Sequence, residues 1–492
     1  MILLAVLATS LVPALIIFAL PEERHGLRTA LNLTGAVLKV ALVGILLWDH
    51  AAGREHEVRI ALMPDLPLVL RVDALALLFV SLSAALWLLT TIYAIGYLEG
   101  SPFRSRFFGF FSLCVTATVG IALSGNLITF FVFYEALTLA TYPLVVHRGT
   151  SEALAAGRVY LNYTLGGGTV LLAGVVWLES LAGPIEFTRG GMLAPIADDQ
   201  RAAVAGAFVL IVAGLAVKAA MVPLHGWLAR AMVAPAPVSA LLHAVAVVKA
   251  GAFGIIRVVD DVYGRDLVAD LGLLTPLALA ACITIVWGSL RAIAQDDLKR
   301  RLAYSTVSQV SYVILGVAII GPIATVGGLV HLVHQGIMKI TLFFGAGVLA
   351  ETLGIHRVSQ MRGVGRRAPL TMAAFTVAAL GMIGVPPTAG FISKWYLGLG
   401  AASAGMDWAL WVLVLSGVLN AIYLLPIVYL AWFREPVGDW PAERPRRRLE
   451  AAPALLVPTL ITGVVTLAAG LLAGTDLSPL SLAQQVDGDP SP

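Results

Sequence analysis

Fourteen apolar runs dominate the chain of 492 residues, near 2–20, 27–49, 75–97, 107–124, 126–146, 157–182, 203–222, 236–258, 272–293, 301–320, 325–350, 369–402, 408–433 and 452–474. A hydrocarbon layer about 30 Å thick is crossed by roughly 20 helical residues, about what each run supplies. In lipid the backbone must satisfy its own donors and acceptors, so such runs fold as helices. Composition agrees. Only 12% of residues are charged, against about 25% in an ordinary soluble domain. The expected fold is an all-α polytopic membrane protein of about 14 transmembrane helices, a single transmembrane domain over residues 1–474. Its solvent is the lipid bilayer, and a soluble enzyme, a nucleic-acid binder and a disordered scaffold are excluded.

The two basic residue types divide sharply. There are 26 Arg and six Lys. Five lysines (Lys39, Lys218, Lys249, Lys339 and Lys394) fall inside apolar runs, and only Lys299 reads as lying in a polar loop. Loops after odd-numbered runs carry 20 basic residues, including Arg444, Arg446, Arg447 and Arg448, whereas loops after even-numbered runs carry seven. The positive-inside rule makes the basic face cytoplasmic and places both termini on the outer side of a bacterial cytoplasmic (inner) membrane. The first run has no basic segment before it and Arg24 after it, so it reads as a retained helix. Residues 475–492 form a polar C-terminal tail in which no structure is expected.

Two runs carry helix breakers at membrane depth. The seventh contains LAVKAAMVPLHGWL, with Lys218 ahead of Pro223, and the twelfth contains GMIGVPPTAGFISKW, with Pro386 and Pro387 ahead of Lys394. Breaks in corresponding helices of two halves point to a transport site on inverted repeats. The spacing predicts two inverted five-helix repeats, helices 4–8 over about 107–258 and helices 9–13 over about 272–433, with helices 7 and 12 broken. Proline kinks in ordinary membrane helices are the competing explanation.

A charge at the bilayer centre costs roughly 2.5–3.5 kcal/mol on insertion scales, so retained charges face a partner or a cavity. Glu135, in FFVFYEALTLATYPL, is the only acid deep inside a run, and Lys218 is its natural partner. A static ion pair locking two helices is the alternative to a proton carrier. Lys249 follows His243 by six residues, about 120° around a helix, so the two need not share a face. His331, His334 and Lys339 fall within about 140° and form one polar stripe through an apolar helix. Histidine suits a relay because its ordinary pKa lies near 6.5. No nearby carboxylate or cysteine completes a metal site around the two histidines, so no metal is expected. Lys39 lies outside both repeats; it could snorkel to the membrane surface or meet a neighbouring subunit, and no role is assigned to it.

Cys114 and Cys282 stand alone, outside any paired or haem-type spacing. With no phosphate-binding or dinucleotide motif either, no cofactor is expected and no catalytic residue is assigned.

The stretches YEALTL, VKAAMVPLHGWLARAMVAPAPVSALLHAVAVVKAG, HLVHQGIMKITLFFGAG and GVPPTAGFISKW resemble the antiporter-like membrane subunits. That family comprises the L, M and N subunits of respiratory complex I, related hydrogenase subunits, and the A and D subunits of Mrp-type cation/proton antiporters. The resemblance implies fourteen helices, inverted repeats and a hydrated proton path across the membrane midplane. It assigns the helix-5 glutamate to Glu135, the helix-7 lysine to Lys218, the helix-8 lysine to Lys249 and the helix-12 lysine to Lys394. The histidines and lysine of the eleventh helix fall on His331, His334 and Lys339. Lysine at 394 departs from the M-type pattern and resembles the Mrp D type, the preferred member, with an M- or N-like subunit second.

The expected function is therefore proton translocation within a multisubunit membrane complex, most simply a Mrp-type Na+(K+)/H+ antiporter. The residues expected on the path are Glu135, Lys218, His243, Lys249, His331, His334, Lys339 and Lys394. The partners implied are other membrane subunits, protons, and Na+ or K+ as exchanged ion. A solitary alternating-access transporter and a non-transporting membrane anchor are the rival classes.

Overall fold

The computed structural model describes residues 1–63, 66–438, 440–443, 449–476 and 478–487. Arg444, Arg446, Arg447 and Arg448 lie outside the described residues, as does the end of the tail. The first six apolar runs are α1 (Ile2–Phe18), α2 (His25–Ala51), α3 (Ala74–Tyr97), α4 (Arg104–Ala122), α5 (Leu127–Val145) and α6 (Ser151–Ala182). The seventh is α7 (Ala194–Lys218), which stops at the lysine and gives way to turns and a short 3-10 segment, Arg230–Val233. The eighth is α8 (Ala236–Ala244) and α9 (Val247–Arg257), extended by a π-helical turn over Val258–Tyr263 and followed by the short α10 (Arg265–Asp270). Then come α11 (Leu274–Ile293), α12 (Leu298–Ala318), α13 (Pro322–Leu353) and the short α14 (Val364–Arg367). The twelfth run is split into α15 (Pro369–Ile383) and α16 (Ala389–Ser403), and α17 (Asp407–Phe433), α18 (Pro453–Leu471) and α19 (Pro479–Asp487) complete the chain.

Eleven of the described helical stretches are long and apolar enough to cross a membrane, while α1 and α15 are apolar but shorter. The fold is an all-α, polytopic membrane architecture. Burial separates an inner set from an outer ring. The stretch Ala236–Tyr263 is enclosed except at Asp260 and Asp261, and α13 nearly so, whereas α2, α6 and α17 turn large apolar side chains such as Val37, Val176 and Trp411 outward. Such exposure is what lipid-facing helices require, since acyl chains are as apolar as leucine.

Local chemistry fixes the helix ends. Asp73, Asn126 and Asp297 accept from the backbone N–H three residues on, at 2.7, 2.8 and 2.7 Å, as N-caps do. Gly384, at φ +100°, terminates α15 where a side-chained residue would be strained.

The structure departs from the sequence expectations in four places. The eighth run is not continuous: Val245 and Ala246 leave the helical region and separate α8 from α9. An antiparallel hairpin, β1 (Glu57–Met63) with β2 (Leu66–Arg71), stands between α2 and α3, pairing Glu57 with Arg71. The tail is not structureless, because α19 packs against α3 and α13 with Leu480 and Ala483 buried. Finally, Lys299 is not in a loop. It occupies the first turn of α12 and donates inward to the Ala234 carbonyl at 2.7 Å.

Candidate functional site

The first cluster joins α5, α6 and α7. Lys218 is the last residue of α7, and its Nζ lies 3.6 Å from Glu135 Oε1. It also donates to the Tyr134 carbonyl and sits 3.3 Å from the centre of the Tyr134 ring. Gly168 of α6 makes room for the acid, since a Cβ there would lie 2.5 Å from Glu135 Oε1. Lys218 is enclosed, whereas the Glu135 side chain keeps 21% of its surface open. Beyond the lysine, Trp227 Nε1 donates to the Val217 carbonyl at 2.8 Å and Val222 N–H to Thr284 Oγ1 at 3.1 Å. These bonds satisfy the backbone that the break before Pro223 releases.

The second cluster lies between the broken eighth run, α12 and α13. Lys249 Nζ donates to the Leu332 carbonyl of α13 at 2.7 Å. Lys339, on the same helix, donates to the Leu302 carbonyl of α12 at 3.1 Å and to Ser305 Oγ. The His243 ring packs against Phe343 in a tilted arrangement, 4.7 Å between centroids.

The third cluster surrounds the break between α15 and α16. Lys394 Nζ reaches back to the carbonyls of Met382 and Ile383 at 2.7 and 3.0 Å, the free end of α15. A cation suits that place because a helix C-terminus carries partial negative charge. His331 Nδ1 is 2.8 Å from Ser393 Oγ, and its ring stacks on Tyr312 at 5.1 Å. Tyr312 in turn lies 5.2 Å from Lys394 Nζ, so it bridges the histidine and the lysine. Pro386 and Pro387 occupy the turn between the two half-helices.

Seven of the eight expected path residues are thus distributed over three neighbouring clusters, and His334 lies between two of them. Glu135 meets Lys218 directly, but among the described residues no hydrogen bond or ion pair joins Lys218 to Lys249. Between the second and third clusters, α13 carries His334 and Gln335, which with Gln309 of α12 and His243 find no well-formed protein partner. Sequence reasoning missed Tyr134, Ser305, Gln309, Tyr312 and Ser393. A signal existed for three of these: Ser305, Gln309 and Tyr312 recur at i, i+4 and i+7 in α12 and form a polar stripe.

Lys39 is fully buried, so it neither snorkels nor faces a neighbouring subunit. Its Nζ donates to Ser10 Oγ at 2.8 Å and lies 5.1 Å from the Trp87 ring, tying α2 to α1 and α3.

The opposite style of charge placement appears near one membrane face. Arg257 binds Asp73 through two bonds of 2.7 and 2.9 Å and Asp261 at 2.7 Å. On the hairpin, Arg59 and Arg71 both bridge Glu57 and Glu186. Hydrogen bonds from Arg59, against a smaller burial cost, and from Arg71 hold the Glu186 carboxyl below its ordinary range.

Residues 124–420 match a family described as NADH:quinone oxidoreductase/Mrp antiporter, transmembrane, and residues 63–108 match the N-terminus of complex I chain 5. The chain is 37% identical over 422 residues to NADH-quinone oxidoreductase subunit N of Desulforudis audaxviator, covering 83% of both proteins. It is 30% identical to a probable A/B-type component of a K(+)/H(+) antiporter of Rhizobium meliloti, covering 84% of this chain and 42% of that one. A chain of the Mrp complex from Dietzia superposes with a TM-score of 0.85 at 26% identity, over 98% of this chain and 97% of that one. On these grounds the chain belongs to the NADH:quinone oxidoreductase/Mrp antiporter transmembrane family and is an antiporter-like membrane subunit.

Proposed function

We propose that the chain carries protons across a bacterial cytoplasmic membrane as one subunit of a multisubunit complex and performs no bond-making chemistry itself. In this reading the fourteen apolar runs are fourteen crossings, with both termini outside. The breaks at Pro223 and at Pro386 and Pro387 mark equivalent points of two inverted five-helix repeats. Glu135 tunes Lys218, and the proton then passes Lys249 and His243, the stripe of His331, His334 and Lys339, and Lys394. One observation carries the reading. Lys249, Lys339 and Lys394 are tied to hydroxyl or carbonyl oxygens and none is paired with a carboxylate among the described residues. Without a carboxylate beside it an ammonium is held less firmly than in an ion pair, and a lysine in that situation exchanges its proton more readily. The side-chain atoms of His243 and Gln335, which lack a protein partner, support a file of water, because polar atoms at such depth are normally hydrogen-bonded.

The experiment is proton uptake by the assembled complex reconstituted in vesicles. Lys218→Ala and Glu135→Ala are expected to assemble and to lose at least tenfold in rate; wild-type transport by either would sink the relay. For the identity of the complex, Lys394 and the Dietzia superposition favour a Mrp-type Na+(K+)/H+ antiporter, with this chain as its D-type component. The matched length and higher identity of the N-type relative favour a quinone-oxidoreductase pump as the second reading. Dependence of transport on Na+ or K+ distinguishes them.

A further inference from the structure

A path of this kind needs a mouth, and one cavity stands in line with it. It has a volume of about 410 Å³ and opens at the ends of α6, α8, α12 and α13 on the face that carries the basic loops. Its charged lining is Arg148, Glu152, Asp297, Lys299 and Arg300, joined by His356 and Tyr97. Arg300 pairs with Glu152 at 3.6 Å, whereas Lys299 turns inward, donating to the Ala234 carbonyl at 2.7 Å and Ser239 Oγ at 3.4 Å.

From the cavity three helices carry polar groups deeper in parallel. On α8, His243 follows Ser239 by one helical turn and has both ring nitrogens unpartnered. On α12, Leu302 and Ser305 follow Lys299 by about one and two turns and hold Lys339. On α13, the cavity residues Ala346, Gly347 and Ala350 lie beyond Phe343, and Phe343 is the ring packed against His243. The three lines converge on His243 and Lys339.

We propose that this cavity is the mouth of the proton path on the basic face, with Lys299 the first group inside it to take up a proton. The step is a proton transfer alone. The neutral amine forms one N–H bond with a proton from water in the cavity and gives it up by way of Ser239 toward His243. Lys299 is suited to this and the adjacent Arg300 and Arg301 are not, because a guanidinium keeps its proton in proteins. The inference rests on the proton-translocation reading above and extends it to a residue that reading does not contain.

The test uses the assembled complex in inside-out vesicles, whose outer surface is the cytoplasmic face. Lys299→Met and Lys299→Arg are both expected to lose at least tenfold in proton uptake, since arginine keeps the charge and the donors but not the exchange. Ala350→Cys, assayed with a membrane-impermeant thiol reagent, should be inhibited in inside-out vesicles and not in right-side-out ones. The native Cys114 and Cys282 are both buried and leave a low background. Wild-type uptake by Lys299→Arg, or inhibition of Ala350→Cys from the opposite side only, overturns the proposal. If the Lys299 variants do not assemble, the sidedness of Ala350→Cys inhibition decides it. Lys218→Ala in the same vesicles separates the two ideas. If it is inactive while Lys299→Arg is normal, only the mouth is wrong; if it is active, the underlying path is wrong.

Discussion

Arg257 and Lys218 are both buried cations beside acids, and they are held in opposite ways. Arg257 sits where α9 runs on without a break into its π-helical turn, with φ −55° and ψ −42°, and its planar head donates three bonds of 2.7–2.9 Å to two aspartates. Lys218 ends a helix, stands 3.6 Å from one glutamate, and shares its remaining interactions with a carbonyl and a ring. The first arrangement fixes a charge; in the proposed path the second leaves it free to change. Short, redundant, bidentate pairing suits a lock; one loose pair at a helix end suits an exchangeable proton.

The largest test of that contrast truncates each cation. Arg257→Ala strands Asp261, whose side chain is 14% exposed, and removes the partner of the more open Asp73, and breaking a buried pair costs about 3–5 kcal/mol. A large drop in melting temperature, or failure to assemble, is expected on detergent-solubilised complex. Lys218→Ala should leave melting near wild type and remove transport. A melting loss as large in Lys218→Ala as in Arg257→Ala would make the lysine a lock too.

The exchange of the two cations is gentler and sharper. Lys218→Arg keeps the charge without a releasable proton, so assembly should survive and uptake should fall at least tenfold. Arg257→Lys keeps the charge and loses the fork, costing about 1–3 kcal/mol in stability while the protein that folds transports normally. Reversal of either outcome would show that geometry, not proton release, separates the two sites.

How much of this was legible in the sequence follows from the same contrast. The helices were legible because apolar runs of spanning length have few alternatives in lipid, and Glu135 was legible as the one deep acid. The anchors of Lys249, Lys339 and Lys394 were not, because most are backbone carbonyls, which have no letter of their own. The break at Val245 and Ala246 carries neither proline nor glycine and reads as helix. Lys299 was misread because Arg300 and Arg301 beside it resemble a solvated loop. The hairpin did leave a signal, since EVRIALM and LPLVLR are rich in strand formers on either side of a Pro-Asp step, but apolar periodicity in a membrane chain drew attention to helices.

A smaller effect should come from the hairpin clasp, which is built as Arg257 is but lies in the open. The pKa of Glu186 is lowered in the folded state from its ordinary 4.5, with Arg59 the main cause. Its stabilisation is therefore complete above the unfolded value and is lost as pH falls through the folded one. Surface pairs contribute little, so Glu186→Gln should lower Tm by only about 1–2 °C at pH 7. As pH falls from 4.5 through the lowered folded value, the gap between variant and wild type should narrow and close. A gap that persists in acid would mean that the side chain acts by packing and not by charge.

The smallest effect is expected two residues beyond Lys218. Ala220 adopts φ +57°, the left-handed region that a residue with a Cβ occupies at a cost of roughly 1–2 kcal/mol. Glycine occupies that region freely, yet it loses about 0.4–1 kcal/mol through the greater freedom of the unfolded chain. The two terms nearly cancel, so Ala220→Gly should change Tm by about 2 °C or less and leave uptake within twofold of wild type. If the site needs the turn only as a shape, glycine supplies the same shape. A large loss of transport at unchanged Tm would instead mean that the alanine methyl itself, packed beneath the break, holds the Lys218 end of α7 against Glu135. The lysine would then be positioned as rigidly as Arg257, by packing in place of hydrogen bonds, and the contrast between the two cations would lie in proton release alone.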